Sequence, residues 1–539
     1  MAVRLSFLDG VGCIGGTKVL LEADSGGLLL DFGVSFSAER AFFDEFLRPR
    51  ASTGIGDLLE LGLLPPLRGL YRRDLDQPSR SWWSRVEGRD RQVQVAGVLL
   101  SHAHLDHSGY ISFLEDNIPI YTGLASAMIA KAMQDTTPGT VEREVAYFTP
   151  REEKEGLLKA ADYRKVPARL RPFVVFCPET SPANWQAAAD FWLRPPASRD
   201  LEGEPLRVVT GSGPPTGGAV CETRVAGMRV RWWPVDHSIP GAGAFAVETP
   251  AGWVVYTGDL RLHGSRGHLT RAFAREAARL EPVLLLCEGT HPRTETPVGE
   301  DQVRQRACEA LRHAEGLVIA DFGPRHVERL LSFLEAARES GRRLAVTTRD
   351  VYLLEALHAA GEPGVPDPRT EGALAVYIEA KVNRPVWERI VMERYLDSCP
   401  DRVVSARDVA AAPDSYACAF SYWDLIELVD IAPRGGTYIY SSTEAFNEEM
   451  HMDLDRLRNW ISHFGLRMLG DPGDRAGQGR DPGWHASGHI HGPGLVELVE
   501  TIRPRCLVPV HTEDTEFFCE RLGHLARVVT PAPGSTLWL

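Results

Sequence analysis

Six lysines in 539 residues, nine cysteines without a single CxxC pair, and no apolar run long enough to span a bilayer define this chain first by what it has little of. The missing run excludes a membrane-spanning helix. An odd set of scattered cysteines excludes a complete disulfide framework and points to a reducing cytoplasm. The first residues, Met-Ala-Val-Arg-Leu-Ser-Phe-Leu-Asp, carry no long apolar signal segment and read as a strand. Arginine replaces the missing lysine, 53 to 6. We read this mainly as genome bias, although arginine also suits bidentate phosphate recognition. A net charge of −14 argues against a broad basic face. A local arginine-lined cleft or bound divalent cations are compatible with it. What remains is ordinary for a globular enzyme, 44% hydrophobic and 24% charged, with chain enough for two or more domains.

The chemistry gathers at His102-Ala-His104-Leu-Asp106-His107, directly after the apolar run Val95–Leu100. A strand places residues i and i+2 on one side, which would let His102 and His104 share one metal. Asp106 and His107 follow as the chain turns, facing a second. Imidazole and carboxylate together suit zinc and also accept manganese. Upstream, the Gly-rich turn Gly10–Gly16 separates strands, and Asp31 ends an apolar strand where it either orients a ligand histidine or caps a turn. Residues 35–95 mix Arg, Pro and Trp without a period and read as an insertion. Residues 135–220 read as another. From about 300 to 440 helices and strands alternate, which predicts a separate α/β unit with a parallel sheet. The stretch Gly470–Gly483 reads as a flexible loop.

Four later segments repeat one arrangement, an apolar strand followed by a histidine or carboxylate: Pro234-Val-Asp-His237, Tyr256-Thr-Gly-Asp259, Ala486-Ser-Gly-His489 and Leu507-Val-Pro-Val-His511. Strand-end loops are where an α/β scaffold presents its chemistry. Together with the first motif they supply the seven or eight ligand positions that a pair of metals requires, with one carboxylate able to bridge.

HxHxDH, a downstream His and Gly-Asp resemble the metallo-β-lactamase fold. Leu286-Cys-Glu288-Gly-Thr-His, Ala486-Ser-Gly-His489 and Val510-His511 resemble the further motifs of the β-CASP nucleases, in order, and within that group the chain looks closest to ribonuclease J. The resemblance runs from Gly10 to His511. It implies an α/β fold, a metallo-β-lactamase αββα sandwich in two parts (1–295 and 441–539) around an inserted β-CASP α/β domain (296–440). It also implies two zinc ions, or manganese. His102, His104 and His237 would bind one, Asp106, His107 and His511 the other, and Asp259 would bridge them. Asp106, Glu288 and His489 would be catalytic, with Glu288 holding His489 as the general acid for a leaving 3′-oxygen. Arg325, at a helix start, with His485 and Ser487 beside the acid, are candidate substrate contacts. Ser441, Ser442 and Thr443 are weaker ones.

The resemblance leads to a ribonuclease acting on single-stranded RNA that threads between lactamase-like domain and cap, by exo- or endonucleolytic cleavage. A DNA nuclease of the same group, a hydrolase of lactams, lactones or thioesters, and a non-catalytic RNA-binding subunit stand beside it. His511 favours RNA, since the DNA-repair members often carry Val there, and the retained ligands speak against a non-catalytic subunit. Only 28 residues follow His511, whereas ribonuclease J has a further C-terminal domain, so dimer assembly stays open. Ile490-His491 lacks the small polar residue usual after the acid, so a requirement for a 5′-phosphate stays open as well.

Overall fold

The computed structural model describes the chain apart from residues 1–2, 45, 163, 178–181, 196–199, 213–219, 443–447 and 474–477, so Thr443 and part of the Gly470–Gly483 stretch lie outside the described residues. In chain order the elements used here are β1 (Arg4–Asp9), β2 (Lys18–Ala23), β3 (Gly26–Leu30), β4 (Val95–Leu99), β5 (Ile120–Gly123), α1 (Leu124–Asp135), β6 (Phe173–Cys177), β7 (Arg207–Ser212), β8 (Val220–Val225), β9 (Met228–Pro234), β10 (Gly243–Thr249), β11 (Gly252–Tyr256), α2 (Gly267–Ala278) and β12 (Leu284–Cys287). There follow α3 (Glu300–His313), β13 (Leu317–Asp321), α4 (Val327–Glu339), β14 (Arg343–Thr347), α5 (Thr348–Ala359), β15 (Leu374–Tyr377), β16 (Val403–Val404), β17 (Tyr416–Cys418), β18 (Gly436–Tyr440), α6 (Glu448–His463) and β19 (Leu466–Leu469). The chain closes with α7 (Gly492–Ile502), β20 (Cys506–Pro509), β21 (Arg527–Val528) and β22 (Thr536–Trp538). Two compact units result: Met1–Leu262 with Arg266–Glu295 and His489–Leu539, and His263–Ser265 with Thr296–Gly488. Among the described residues no helix is long and apolar enough to cross a membrane.

The main sheet of the first unit has fifteen strands in the order β21-β20-β12-β11-β10-β9-β8-β7-β6-β5-β4-β3-β2-β1-β22. Pairing between β7 and β8 is reduced to Gly211↔Cys221 and Ser212↔Val220. There the ribbon folds over, and the two halves bury one core between them. Phe7, Leu28, Leu99 and Phe176 from one half pack with Trp232, Phe245, Tyr256 and Val508 from the other. Helices cover the outer faces. In α7, Leu495, Leu498, Val499 and Ile502 follow helical spacing and pack with Phe273 of α2 on Trp233, Ala244 and Leu285. On the other side α1, alanine-rich and buried at ten of its twelve positions, lies on β5 and β6. This is the αββα layering of the metallo-β-lactamase fold. The 135–220 stretch is more than an insertion, because Phe-Val-Val-Phe-Cys forms β6 between β5 and β7, with every residue buried.

The second unit is built on seven parallel strands in the order β16-β15-β14-β17-β13-β18-β19. Such strands are covered on both faces and read as continuous apolar runs, as Leu-Val-Ile-Ala in β13 does. One break between the units falls between Glu295 and Thr296, but the return comes at His489 and not at 441. The strand β19 extends the parallel sheet beside β18, and Leu454, Leu457 and Ile461 of α6 pack on its core, so the segment after 440 stays with the second unit.

Candidate active site

The ligand-bearing residues all follow the C-terminal ends of strands in the first unit: Asp31 after β3, His102–His107 after β4, His237 after β9, Asp259 after β11, Glu288 after β12 and His511 after β20. Backbone pairing continues one step past these strands and sets the loops side by side: Asp31 N donates to Leu99 O (3.1 Å), Thr257 N to Leu286 O (3.1 Å) and Val510 N to Cys287 O (2.9 Å). Two glycines permit the close approach. A Cβ on Gly33 would stand 1.7 Å from the Asp106 carbonyl oxygen. Gly258, at φ +56°, would place one 2.5 Å from Ser101 Cβ.

His102, His104 and His237 form one trio, with His104 Nδ1 at 3.0 Å from His102 Nε2 and 3.1 Å from His237 Nε2. Asp106, His107 and His511 form another, with His511 Nε2 at 3.2 Å from Asp106 Oδ2. In each trio one donor atom per residue lies within 4.8 Å of the others. Asp259 Oδ2 sits between them, 3.1 Å from His107 Nε2, 3.7 Å from His102 Nε2, 3.7 Å from His511 Nε2 and 4.0 Å from His237 Nε2. The donor set fits divalent cations on an independent count. Asp259 Oδ1 is buried with no hydrogen-bond partner, an expensive state for a polar atom unless an ion takes it up. Burial opposes charge on Asp259, but His107, His511 and His489 outweigh it and hold the carboxyl well below its usual range. Burial, reinforced by its histidine neighbours, pushes His102 the other way, toward neutral imidazole, the form that ligates metal.

Asp31 anchors the second trio. It is fully buried, at φ +55°, and accepts from Ser101 N (2.6 Å), Ser101 Oγ (2.7 Å), His107 Nδ1 (2.6 Å) and Tyr256 OH (2.5 Å). His107 is thereby fixed with Nε2 toward Asp259, so of the two roles open to Asp31 the geometry shows the orienting one. Glu288 organises the far side. Its Oε1 accepts from Leu260 N (3.0 Å) and Ile490 N (3.3 Å), and its Oε2 from Thr290 N (3.1 Å). His489 Nδ1 lies 3.4 Å from Glu288 Oε1 and 3.7 Å from Asp259 Oδ2. Burial disfavours the imidazolium, but Glu288 and Asp259 more than compensate, and the His489 pKa rises to about 9. Asp106 and His489 are the more open members, with side chains about a fifth exposed.

Sequence reasoning passed over three hydroxyls. Thr290 Oγ1 touches Glu288 Oε2 (3.2 Å), His489 Nδ1 (3.1 Å) and His511 Nδ1 (2.9 Å). Ser101 and Tyr256 complete the cradle of Asp31. The available signal was position alone, each hydroxyl lying within three residues of a carboxylate or histidine of the site.

Arg325, His485 and Ser487 belong to the second unit. Arg325 precedes α4, whose N-cap is the His326 side chain, accepting from Arg329 N. His485 Nδ1 is 3.5 Å from Ser441 O, in a network where buried Arg329 binds Glu300, Ser441 and the Trp484 carbonyl. Burial, with Arg329 and His326 nearby, lowers the His485 pKa to about 3. The Ser487 carbonyl faces His263 Nε2 at 3.0 Å.

No family model matches the chain. Among curated proteins it is similar to ribonuclease J of Corynebacterium glutamicum, 28% identical over 292 residues, which cover 53% of this chain and 36% of that one. Ribonuclease J of Mycolicibacterium smegmatis is 28% identical over 52% of this chain and 46% of its own. That of Helicobacter pylori strain 26695 is 20% identical over 65% and 37%. The chain thus spans less than half the length of these relatives. Among solved structures, a protein of unknown function from Enterococcus faecalis V583 shares the fold along the whole of both chains, with a TM-score of 0.66 and 21% identity. With layered sheets of the metallo-β-lactamase fold and a strand-end His/Asp cluster, the chain is similar to ribonuclease J along about half of its length.

Proposed function

We propose that the chain is a metal-dependent ribonuclease that hydrolyses phosphodiester bonds of single-stranded RNA, with two divalent cations, zinc or manganese, as cofactors and the cytoplasm as its location. One observation carries the reading: His489 Nδ1 lies 3.4 Å from Glu288 Oε1 and 3.7 Å from Asp259 Oδ2, the oxygen that faces both trios. A hydrolase of lactones or thioesters needs the trios but not that clamp. His102, His104 and His237 would hold one cation, Asp106, His107 and His511 the other, and Asp259 both. Bound cations would supply activated water and charge neutralisation for a phosphodiester.

The remaining steps belong to the side chains. Asp106, the more open carboxylate of the cluster, would hold its cation on the side open to the phosphodiester. Glu288 is locked by three backbone N–H groups and so presents Oε1 to His489 Nδ1 in one geometry. The proton for the leaving 3′-oxygen then comes from Nε2 of His489, a general acid charged at neutral pH. Arg325, His485 and Ser487 are proposed substrate contacts. His485 is neutral at pH 7, so its part is a hydrogen bond and not an ion pair with phosphate.

The test uses end-labelled RNA carrying 5′-monophosphate, 5′-triphosphate or 5′-hydroxyl, with single-stranded DNA alongside. Mononucleotide release confined to 5′-monophosphate RNA identifies a 5′-exonuclease, and internal cuts an endonuclease. Preference for DNA, or no cleavage of any nucleic acid by wild type as by His489→Ala, overturns the proposal.

A further inference from the structure

The metal cluster has an unusual flank. Past Gly33, which lies against the Asp106 backbone, Val34 N donates to Leu105 O (2.9 Å), and Ser35 caps the short helix Phe36–Arg40. The chain then displays apolar side chains to solvent: Phe36, Phe42, Phe46 and Leu47 are 44%, 45%, 88% and 60% exposed. Ile14, 40% exposed, approaches from the other side, since Gly15 abuts the Asp106 side chain and Gly16 abuts Ser35. Phe36 is three residues beyond Gly33, so its Cα lies within about 11 Å of the backbone that touches Asp106.

The display is built. Asp44 Oδ1 accepts from Phe46 N (2.7 Å) and Leu47 N (2.6 Å), and Asp44 N donates to Leu47 O (3.0 Å), closing a turn that holds Phe46 outward. Arg40 and Arg48, both exposed, flank Phe42 and Phe46 in the sequence. Four large apolar side chains exposed within twelve residues mark a contact surface. Its composition selects the partner, because single-stranded nucleic acids are held by aromatic faces under the bases and cations along the phosphates. Its place selects it too, because a substrate bound at Asp106 passes this flank.

We infer that Phe36, Phe42 and Phe46 form a stacking platform for unpaired bases of the RNA substrate. The inference rests on the ribonuclease reading above and adds where the bases go. Stacking tolerates any base, so the platform contributes affinity for unpaired strands and little sequence preference.

The experiment titrates fluorescein-labelled oligo(U) against the full chain carrying His489→Ala, by anisotropy, with Phe36, Phe42 and Phe46 each changed to Ala, Leu or Trp. Each Phe→Ala is expected to weaken binding about tenfold. Trp restores it and Leu, apolar without an equivalent ring, does not. In the chain with His489 intact, the ratio of RNA cleavage to hydrolysis of bis(p-nitrophenyl) phosphate falls by a similar factor. Affinities unchanged within twofold overturn the platform, as does rescue by Leu equal to that by Trp. So does a change of oligomeric state in light scattering, which would make the rings a contact between copies. Ring-dependent binding by a chain that cleaves no RNA refutes the ribonuclease reading alone. RNA cleavage with ring-independent binding refutes the platform alone.

Discussion

Replacing Asp31 by Asn tests the architecture of the Asp106–His107–His511 trio with little steric change. Asn tolerates φ +55° as Asp does, so the substitution isolates one charge and one acceptor. Asp31 Oδ2 accepts three hydrogen bonds and Oδ1 one, all with buried donors. With the amide nitrogen at Oδ1 it faces Ser101 N–H donor to donor, which costs about 2 kcal/mol for the buried group left unpaired. The three bonds on the remaining oxygen lose their charge assistance, about 1 kcal/mol each. The opposite orientation loses more bonds and is worse. Urea denaturation in EDTA should therefore show a loss of about 5 kcal/mol, survivable within ordinary domain stability. Metal affinity, read by competition with a chromogenic chelator, should fall about 10- to 100-fold, since His107 is no longer fixed toward Asp259. Affinity within threefold of wild type would refute the orienting role of Asp31.

Glu288→Gln removes the largest influence that raises the His489 pKa to about 9. The protonated form is the active one, so wild-type activity is present below that value and lost as pH rises through it. The basic limb of kcat/KM should move to lower pH in the variant, with a drop of about 10²-fold at the optimum. An unmoved limb would assign the proton to another group. Asp259→Ala should empty both positions together, because one oxygen faces both trios, and elemental analysis should find well under one metal per chain. Retention of one full equivalent would show that the trios bind independently. In the second unit burial pushes the Asp321 pKa up to about 7. The folded state then keeps a proton that the unfolded chain releases near pH 4, so stability falls as pH rises from about 4 to 7, by up to about 4 kcal/mol. Asp321→Asn retains an oxygen for Tyr438 OH, 2.7 Å away, and should flatten that slope in denaturant titrations at pH 5 and pH 8. A slope equal to that of wild type would rule out the buried acid as its source.

The His/Asp cluster was legible because its histidines and aspartates each follow an apolar strand, and strand geometry then fixes which of them share a side. Asp31 was legible only as one of two roles. The donors that decide it, Ser101, His107 and Tyr256, come from up to 225 residues away, and no local pattern records such a meeting. Thr290 was invisible for a related reason. A threonine after a glycine is common, and its function lies in touching two histidines and a carboxylate at once. In the fold, helix–strand alternation announced the parallel unit, whereas its far limit was obscured. Ser441 and Ser442 look like the end of a strand and of a domain, but pairing of β18 with β19, twenty-odd residues later, carries the sheet onward. The strand β6 was hidden by its flanks, since the charged and proline-rich sequence around Phe-Val-Val-Phe-Cys masks a buried strand between two others.

The pair Asp106 and His511 is separated by 405 residues. Ribosomes add about 5–20 residues each second. The first half of the His/Asp cluster therefore exists for roughly 20–80 s before its last residue has been made, and the whole second unit is synthesised in that interval. Until then three strands of the unit's sheet, β20 among them, are missing, and β12 is an open edge. The cluster is thus completed late in biosynthesis and nearly all at once, so a chain truncated between residues 107 and 511 carries the opening His/Asp motif without the residues that complete it.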